Sequence, residues 1–305
     1  MSIPQSGVDH QVGYIKEVTR GVTPATPAFQ LLPYTGTTLK LTKEAIESER
    51  LGVPVRFGTR HGNRNVSGDI SAELVYGAFD DFLASAVGGA WAANVLKSGV
   101  LRDSYSFVRK YGTVGVTLYT GVEVNTMALS VGQNTNAGLT FGLVGVDQAT
   151  GHTAPVGTTY VTESQNLPIA GFDAVIKKDG VIIAIATSLE LNTDRQITQS
   201  YVIGSKTTGA MPKGKLLIDG SMTYKLTSFA LQDEFLNETR GTLEIEFTAP
   251  DTGDKLSFYL PNVLFNSADD DVSGDGEINV TGSFYGEYDE TAQAGLVITR
   301  TPATP

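Results

Sequence analysis

The sequence predicts a mainly β chain made of two tandem β domains, each interrupted by a short α-helix. Three observations carry this. Period-two alternation of apolar and polar residues recurs along the chain. It gives way to helical spacing at one place, GDISAELVYGAFDDFLASAVGG (68–89). The same strand-then-helix phrase then returns as DGSMTYKLTSFALQDEFLNETRG (219–241).

The strands come first. TLKLT (38–42), DISAELVY (69–76), VGVTLYTGVEV (114–124), AGLTFGLVGV (137–146), TLEIEF (242–247), KLSFYL (255–260) and EINVTGSFYGEY (277–288) all alternate. Gly, Asn and Asp bound them, as antiparallel strands require, and KKDGV (177–181) and PDTGDK (250–255) supply turn signals. In the first helix Phe79, Phe82, Leu83 and Ala86 fall at i, i+3, i+4 and i+7, one face of a helix. Asp80 and Asp81 lie where the macrodipole favours negative charge, and Gly88 and Gly89 stop the helix. In the second helix Leu231, Phe235 and Leu236 form a shorter apolar face, Asp233 and Glu234 fall early, and Gly241 is the expected stop.

The two phrases align. Gly68, Ile70 and Leu74 correspond to Gly220, Met222 and Leu226. With one extra residue in the second copy, Asp80, Asp81, Phe82 and Leu83 match Asp233, Glu234, Phe235 and Leu236. LKL (39–41) and LEL (189–191) each open a long polar stretch upstream, and YTGVEVNT (119–126) resembles YLPNVLFNS (259–267) downstream. Element order and spacing agree together, so the repeat predicts a duplicated domain. The expected organisation is an extended N-terminal arm (1–35), a first β domain (36–145), a Gly/Thr/Pro-rich linker (146–170), a second β domain (171–290) and a poorly packed tail (291–305). A length of 305 residues suits two domains of about 150 each.

Composition removes much chemistry. There is no cysteine, hence no disulfide, thiolate zinc site, iron–sulfur cluster or Cys nucleophile. His10, His61 and His152 lie far apart, in polar or Gly/Thr-rich surroundings. No apolar run approaches the ~20 residues of a membrane helix, and the N-terminus has no basic start followed by an apolar core. GAMPKGKL (209–216) has P-loop spacing, but Leu216 stands where Mg²⁺ needs Ser or Thr, and a strand pattern follows instead of a helix. Asp271, Ser273, Asp275 and Gly276 imitate a calcium loop whose twelfth position is Gly282, not the bidentate Glu required, so a solvated hairpin tip is expected. The sequons at Asn65, Asn237 and Asn279 carry little meaning without a secretion signal. No cofactor, metal or catalytic residue is assigned, and the chain reads as a non-enzyme. The net charge of −11 opposes direct grip on nucleic acid.

The blocks GVTPATPAFQLLPYTGTTLKL, SGDISAELVYGAFDDFLASAVGGAW and YTGVEVNTMALSV…LTFGLVG together resemble the tail tube (major tail) proteins of long-tailed, non-contractile bacteriophages. The resemblance implies two tail-tube-type β-sandwich or barrel domains. It implies a structural virion protein, assembled in the host cytoplasm, whose rings stack into the hollow tube through which the genome is ejected. Partners implied are other copies of the chain, the tape measure protein, the tail terminator and the distal tail proteins; DNA passes the lumen without specific binding. Family subunits usually send a long loop between two early strands to the neighbouring ring. The candidates here are 42–67, with Arg56, Arg60 and Arg64, and 192–218, with Arg195, Lys206 and Lys213. A doubled domain implies three chains where six single domains would serve, a trimeric ring with pseudo-sixfold symmetry. The rival is a hexamer in which only one half builds the tube. An acidic lumen would keep DNA from sticking. Alternatives from other classes are another ring- or filament-forming β-rich assembly subunit, and a carbohydrate-binding module or glycosidase. The latter needs clustered aromatics and paired carboxylates at a cleft, and Trp91 is the chain's single Trp.

Overall fold

The structure is a computed structural model describing residues 4–269 and 276–303. The first half of the chain forms β1 (His10–Lys16), β2 (Ala28–Leu31), β3 (Gly36–Thr37), β4 (Lys40–Ile46) and the long β5 (Arg60–Glu73). Then come α1 (Asp80–Val87), β6 (Trp91–Ala92), β7 (Val95–Lys97) and β8 (Tyr105–Tyr111). The long β9 (Gly115–Gly132), β10 (Gly138–Gly145), β11 (Asp147–Gln148) and β12 (Thr159–Val161) complete it. The second half forms β13 (Ala174–Lys178), β14 (Val181–Ile182), β15 (Ala186–Asp194), β16 (Leu217–Lys225) and α2 (Ala230–Leu236). It ends with β17 (Arg240–Thr248), β18 (Lys255–Phe265), β19 (Asn279–Gly286) and β20 (Val297–Thr301). The chain is mainly β, as its alternation predicts.

Strand β9 organises the first half. It turns at Gly121, which sits at φ 63 where an added Cβ would meet Val146 Cγ2 at 2.4 Å. Before the turn β9 pairs with β8 and β11; after it, with β10. β8 carries β1, and β1 carries β2. β10 carries β5, and β5 carries β4. One strand thus feeds two sheet segments that face each other across a core, the sandwich solution to burying one face of each.

The pairings of the first half recur in the second. β18 is broken at Pro261 and Asn262. Its first part pairs with β17 and β20, its last residues with β19. β17 carries β13, and β13 carries β14 through a turn at Asp179 and Gly180, both at positive φ. β19 carries β16, which carries β15.

Several expectations change. The first 35 residues are no extended arm: β1 and β2 are paired, and Phe29 and Tyr14 are buried. The tail after residue 291 is not loose, because β20 lies between β18 and β7 with Leu296 and Ile298 fully buried. Arg300 also bonds Asp80 and stacks on Trp91 at 4.1 Å. The expected linker 146–170 adds β11 and the parallel β12 to the first half, and Ile169 is fully buried. Pro and Gly mark turns there, but its short apolar stretches are too brief to show periodicity.

The two helices differ. α1 buries Phe82, Leu83, Ala84, Ser85, Ala86 and Val87 and ends at Gly88 in the left-handed region (φ 66). Its Asp81 accepts Tyr14 Oη at 2.9 Å on the carboxylate and Tyr105 Oη at 3.0 Å on the carbonyl. α2 buries no residue and ends at Asn237, not at Gly241, which belongs to β17.

Candidate assembly interface

The halves meet strand to strand. After its turn β9 has two neighbours: β10 on one side and, along Thr126–Gly132, β15 of the second half on the other. β4, β5, β10, β9, β15, β16 and β19 therefore form one continuous run of antiparallel strands. Each half would otherwise offer an open strand edge, a liability that pairing removes.

This run has two unlike faces. Val66, Ile70, Phe141, Leu129, Leu191, Met222 and Phe284 point into the core and are buried. The opposite face follows from the register: Asp69 lies beside Gly142, Thr126 and Asp194, and Ser71 beside Thr140, Ala128, Asn192 and Asp219. Glu73 lies in the next row with Gly138, Ser130 and Glu190. The outward surface is therefore mostly polar: Ser, Thr, Asn, Gly and carboxylates, with Ala128 among them, Leu217 beside Asp194, Tyr285 beside Asp219, and Lys40 opposite Ser67 at its margin. Period-two alternation dictates that these side chains share a face.

A loop locks the joint. Residues 195–216, between β15 and β16, lie on the first half. Tyr201 donates to Arg64 O at 3.0 Å, Gln199 to Gly145 O at 2.7 Å, and Arg64 N–H to Lys206 O at 2.8 Å. Asn125 accepts Arg195 N–H on its carbonyl (2.9 Å) and Ile197 N–H on Oδ1 (2.7 Å). The Arg195 guanidinium, on a residue only 2% exposed, donates to Ser85 O at 2.8 Å and Leu101 O at 2.7 Å, beside the carbonyl end of α1. Burial draws its pKa down, and the Glu123 carboxylate offsets part of that. Glu123, itself buried, holds Arg102 through both oxygens at 2.9 and 2.8 Å, and Arg102 donates on to Met211 O at 2.7 Å.

The candidate loop residues separate accordingly. Arg195 is consumed inside the chain, and Lys213 donates to Val100 O at 2.6 Å. Arg64 pairs with Asp147 at 2.9 Å, and Lys206 joins the loop through its carbonyl with its side chain exposed. Arg56 and Arg60 remain exposed, with Arg56 paired to Glu47 at 3.1 Å. Stretch 42–67 is not a loop throughout: β4 and β5 pair out to Ile46 and Arg60, leaving a tip at 47–59 with Leu51, Val55 and Phe57 exposed. The P-loop look-alike 209–216 falls in the joint loop and runs into β16. Of the calcium-loop look-alike, Asp271, Ser273 and Asp275 lie outside the described residues. Among the described residues no group of three or more His, Asp or Glu side chains is placed to hold a metal. The two aligned glycines both stand where the backbone is crowded. A Cβ on Gly68, at φ 146, would sit 2.6 Å from the Leu39 backbone, and one on Gly220 2.5 Å from Glu190 O.

A model of the phage tail tube protein family matches residues 7–304. The chain belongs to that family. The match spans both halves and the joint between them. It makes this tail tube protein a structural component of the virion tail, one that self-assembles and meets other tail proteins. No curated protein matches the chain. The joint contacts of Asn125 and Arg195 escape sequence reasoning because hydrogen bonds between side chains and a distant main chain leave no spacing signal. The one available clue is that Asn125 recurs as Asn266 in the aligned YTGVEVNT and YLPNVLFNS.

Proposed function

We propose that this chain builds the hollow tail tube by closing in threes. Each chain supplies two tandem tail-tube-type domains, cored on 36–145 and 171–290, that stand as neighbours in one ring. The observation that carries this reading is the β9–β15 joint: halves with recurring strand pairings are joined edge to edge, as successive subunits of a ring would be. Three chains then give pseudo-sixfold symmetry.

In this arrangement the polar face of the continuous strand run lines the lumen. Asp69, Glu73, Glu190, Asp194 and Asp219 set its charge, and like charge keeps the DNA backbone from adhering during ejection. The 47–59 tip, with Arg56 and Arg60, projects from the β4–β5 hairpin and is the segment suited to reach the next ring. Its exposed Leu51, Val55 and Phe57 would be covered on stacking. The tape measure, terminator and distal tail proteins complete the contacts of the assembled tube. Electron microscopy of assembled tubes tests the reading: rings of three chains support it, and rings of six whole chains sink it.

A further inference from the structure

The contacts that lock the β9–β15 joint have counterparts elsewhere in the chain, and there they stand open. Register carries each residue across. Gly68 faces Leu143, and Gly220 faces Phe284, so Leu143 and Phe284 are equivalent. Their partners Val124 and Phe265 are then equivalent, and Asn125 corresponds to Asn266. On the other side, Lys40 faces Ser67 and Asn192 faces Asp219, so Lys43 and Ala45 occupy the places of Arg195 and Ile197. This register also moves the LKL and LEL blocks two residues apart: Leu39, not Leu41, stands where Leu191 does.

The counterparts are unsatisfied. Asn266 is exposed, and its carboxamide has no partner among the described residues. Lys43 is exposed and forms no ion pair among them. Leu83 of α1 is 2% exposed, while its counterpart Leu236 of α2 is 73% exposed. Phe229, at the start of α2, is 61% exposed. α1 touches β15 across the joint, whereas α2 packs on β18 of its own half and buries none of its residues. The chain therefore carries one complete latch within itself, and both halves of a second at its two ends.

We propose that these two ends join between copies of the chain. Residues 264–269 of one copy receive β4 of the next. Asn266 then accepts the N–H groups of Lys43 and Ala45, as Asn125 accepts those of Arg195 and Ile197. The Lys43 ammonium reaches the carbonyl end of α2, where a cation is favoured by the helix dipole. The arriving strand covers Leu236 and Phe229. The occupant is a second copy because the missing pieces are the ones β4 carries. This rests on the ring reading above and adds the residues that close the ring.

The joint registers Thr126 against Asp194, so Ser267 of one copy faces Thr42 of the next. Paired Cα atoms in antiparallel strands stand about 4.5–5.5 Å apart, within disulfide reach. The chain has no native cysteine, so a Thr42→Cys/Ser267→Cys chain reports this contact alone. Oxidation of assembled tubes should give a closed covalent trimer on non-reducing gels. The neighbouring pair, Leu41→Cys with Ala268→Cys, provides a second variant with the same expectation should the first fail to assemble. Independently, Asn266→Ala should raise the protein concentration needed for assembly roughly fivefold per joint. It should leave the unfolding midpoint of the unassembled chain unchanged, and Lys43→Arg should assemble where Lys43→Met does not. Three-chain tubes that resist cross-linking at both pairs overturn the latch alone. So does an Asn266→Ala chain that assembles like the parent or is itself destabilised. Rings of six whole chains overturn the ring reading beneath it.

Discussion

Replacing Arg195 by Met keeps an unbranched apolar stem and removes the guanidinium. In the folded chain that group makes two charge-assisted hydrogen bonds, to Ser85 O and Leu101 O. Bonds of that kind contribute about 1.5–3 kcal/mol each, so their joint loss amounts to about 3–6 kcal/mol. Against this, a cation no longer has to be buried, which returns part of the cost that lowers the Arg195 pKa. The expected net loss is about 2–4 kcal/mol. Urea slopes of about 1–3 kcal/mol/M, larger for longer chains, translate that into a midpoint about 1 M lower. Equilibrium urea unfolding of the unassembled protein, followed by tryptophan fluorescence, reads it directly, since Trp91 donates to Asp80 O beside α1. Lys213→Met, at a partly exposed site with one carbonyl contact, should cost less than about 1 kcal/mol. If Arg195→Met shifts the midpoint no more than Lys213→Met does, Arg195 does not lock the halves together.

Gly68→Ala forces a side chain to 2.6 Å from the Leu39 backbone at φ 146, so soluble, folded protein should be lost and thermal melts should show no cooperative transition. Leu83→Ala should cost about 2–5 kcal/mol in unfolding measurements. Leu236→Ala, at the equivalent but exposed position, should cost about 0.5 kcal/mol or less in the unassembled chain. Glu246 is held below the usual carboxylate range, chiefly by hydrogen bonds from Lys255 and then Lys177. A depressed carboxyl stabilises the fold above the unfolded pKa of about 4.3, and that stability is lost as pH falls through the folded value. Acid titration of unfolding stability should therefore be less steep for Glu246→Gln than for the parent below about pH 4.

What the sequence made legible was local and periodic. Alternation located the long strands, and the i, i+3, i+4, i+7 pattern of Phe79, Phe82, Leu83 and Ala86 located α1 and its buried face. DG in KKDGV marked the β13–β14 turn. The second helix and its apolar face were legible too, but not how little of that face is covered: among the described residues Leu231 and Phe235 are half-buried and Leu236 is exposed. Its boundary was misplaced because Gly241, in a strand, resembles a helix stop. β1, β2, β12 and β20 are not legible in the sequence because their apolar residues do not alternate over a long enough run, and only their pairing partners make them strands. The acidic surface was legible as a net charge. That Asp69, Glu73, Glu190, Asp194 and Asp219 share one face was not, because that needs the register of β5, β10, β9, β15 and β16 together. Arg195 looked like a surface loop cation, and no local feature of TDRQIT says that its guanidinium crosses to α1.

Helical reconstruction of the assembled tube by cryo-electron microscopy tests the central claim most directly. The account predicts three chains per ring, with both halves at equivalent radius, β9 and β15 paired within each chain, and the polar face bearing Asp69, Glu190 and Asp219 toward the lumen. A ring of six whole chains, with one half in the tube wall and the other outside it, would contradict it.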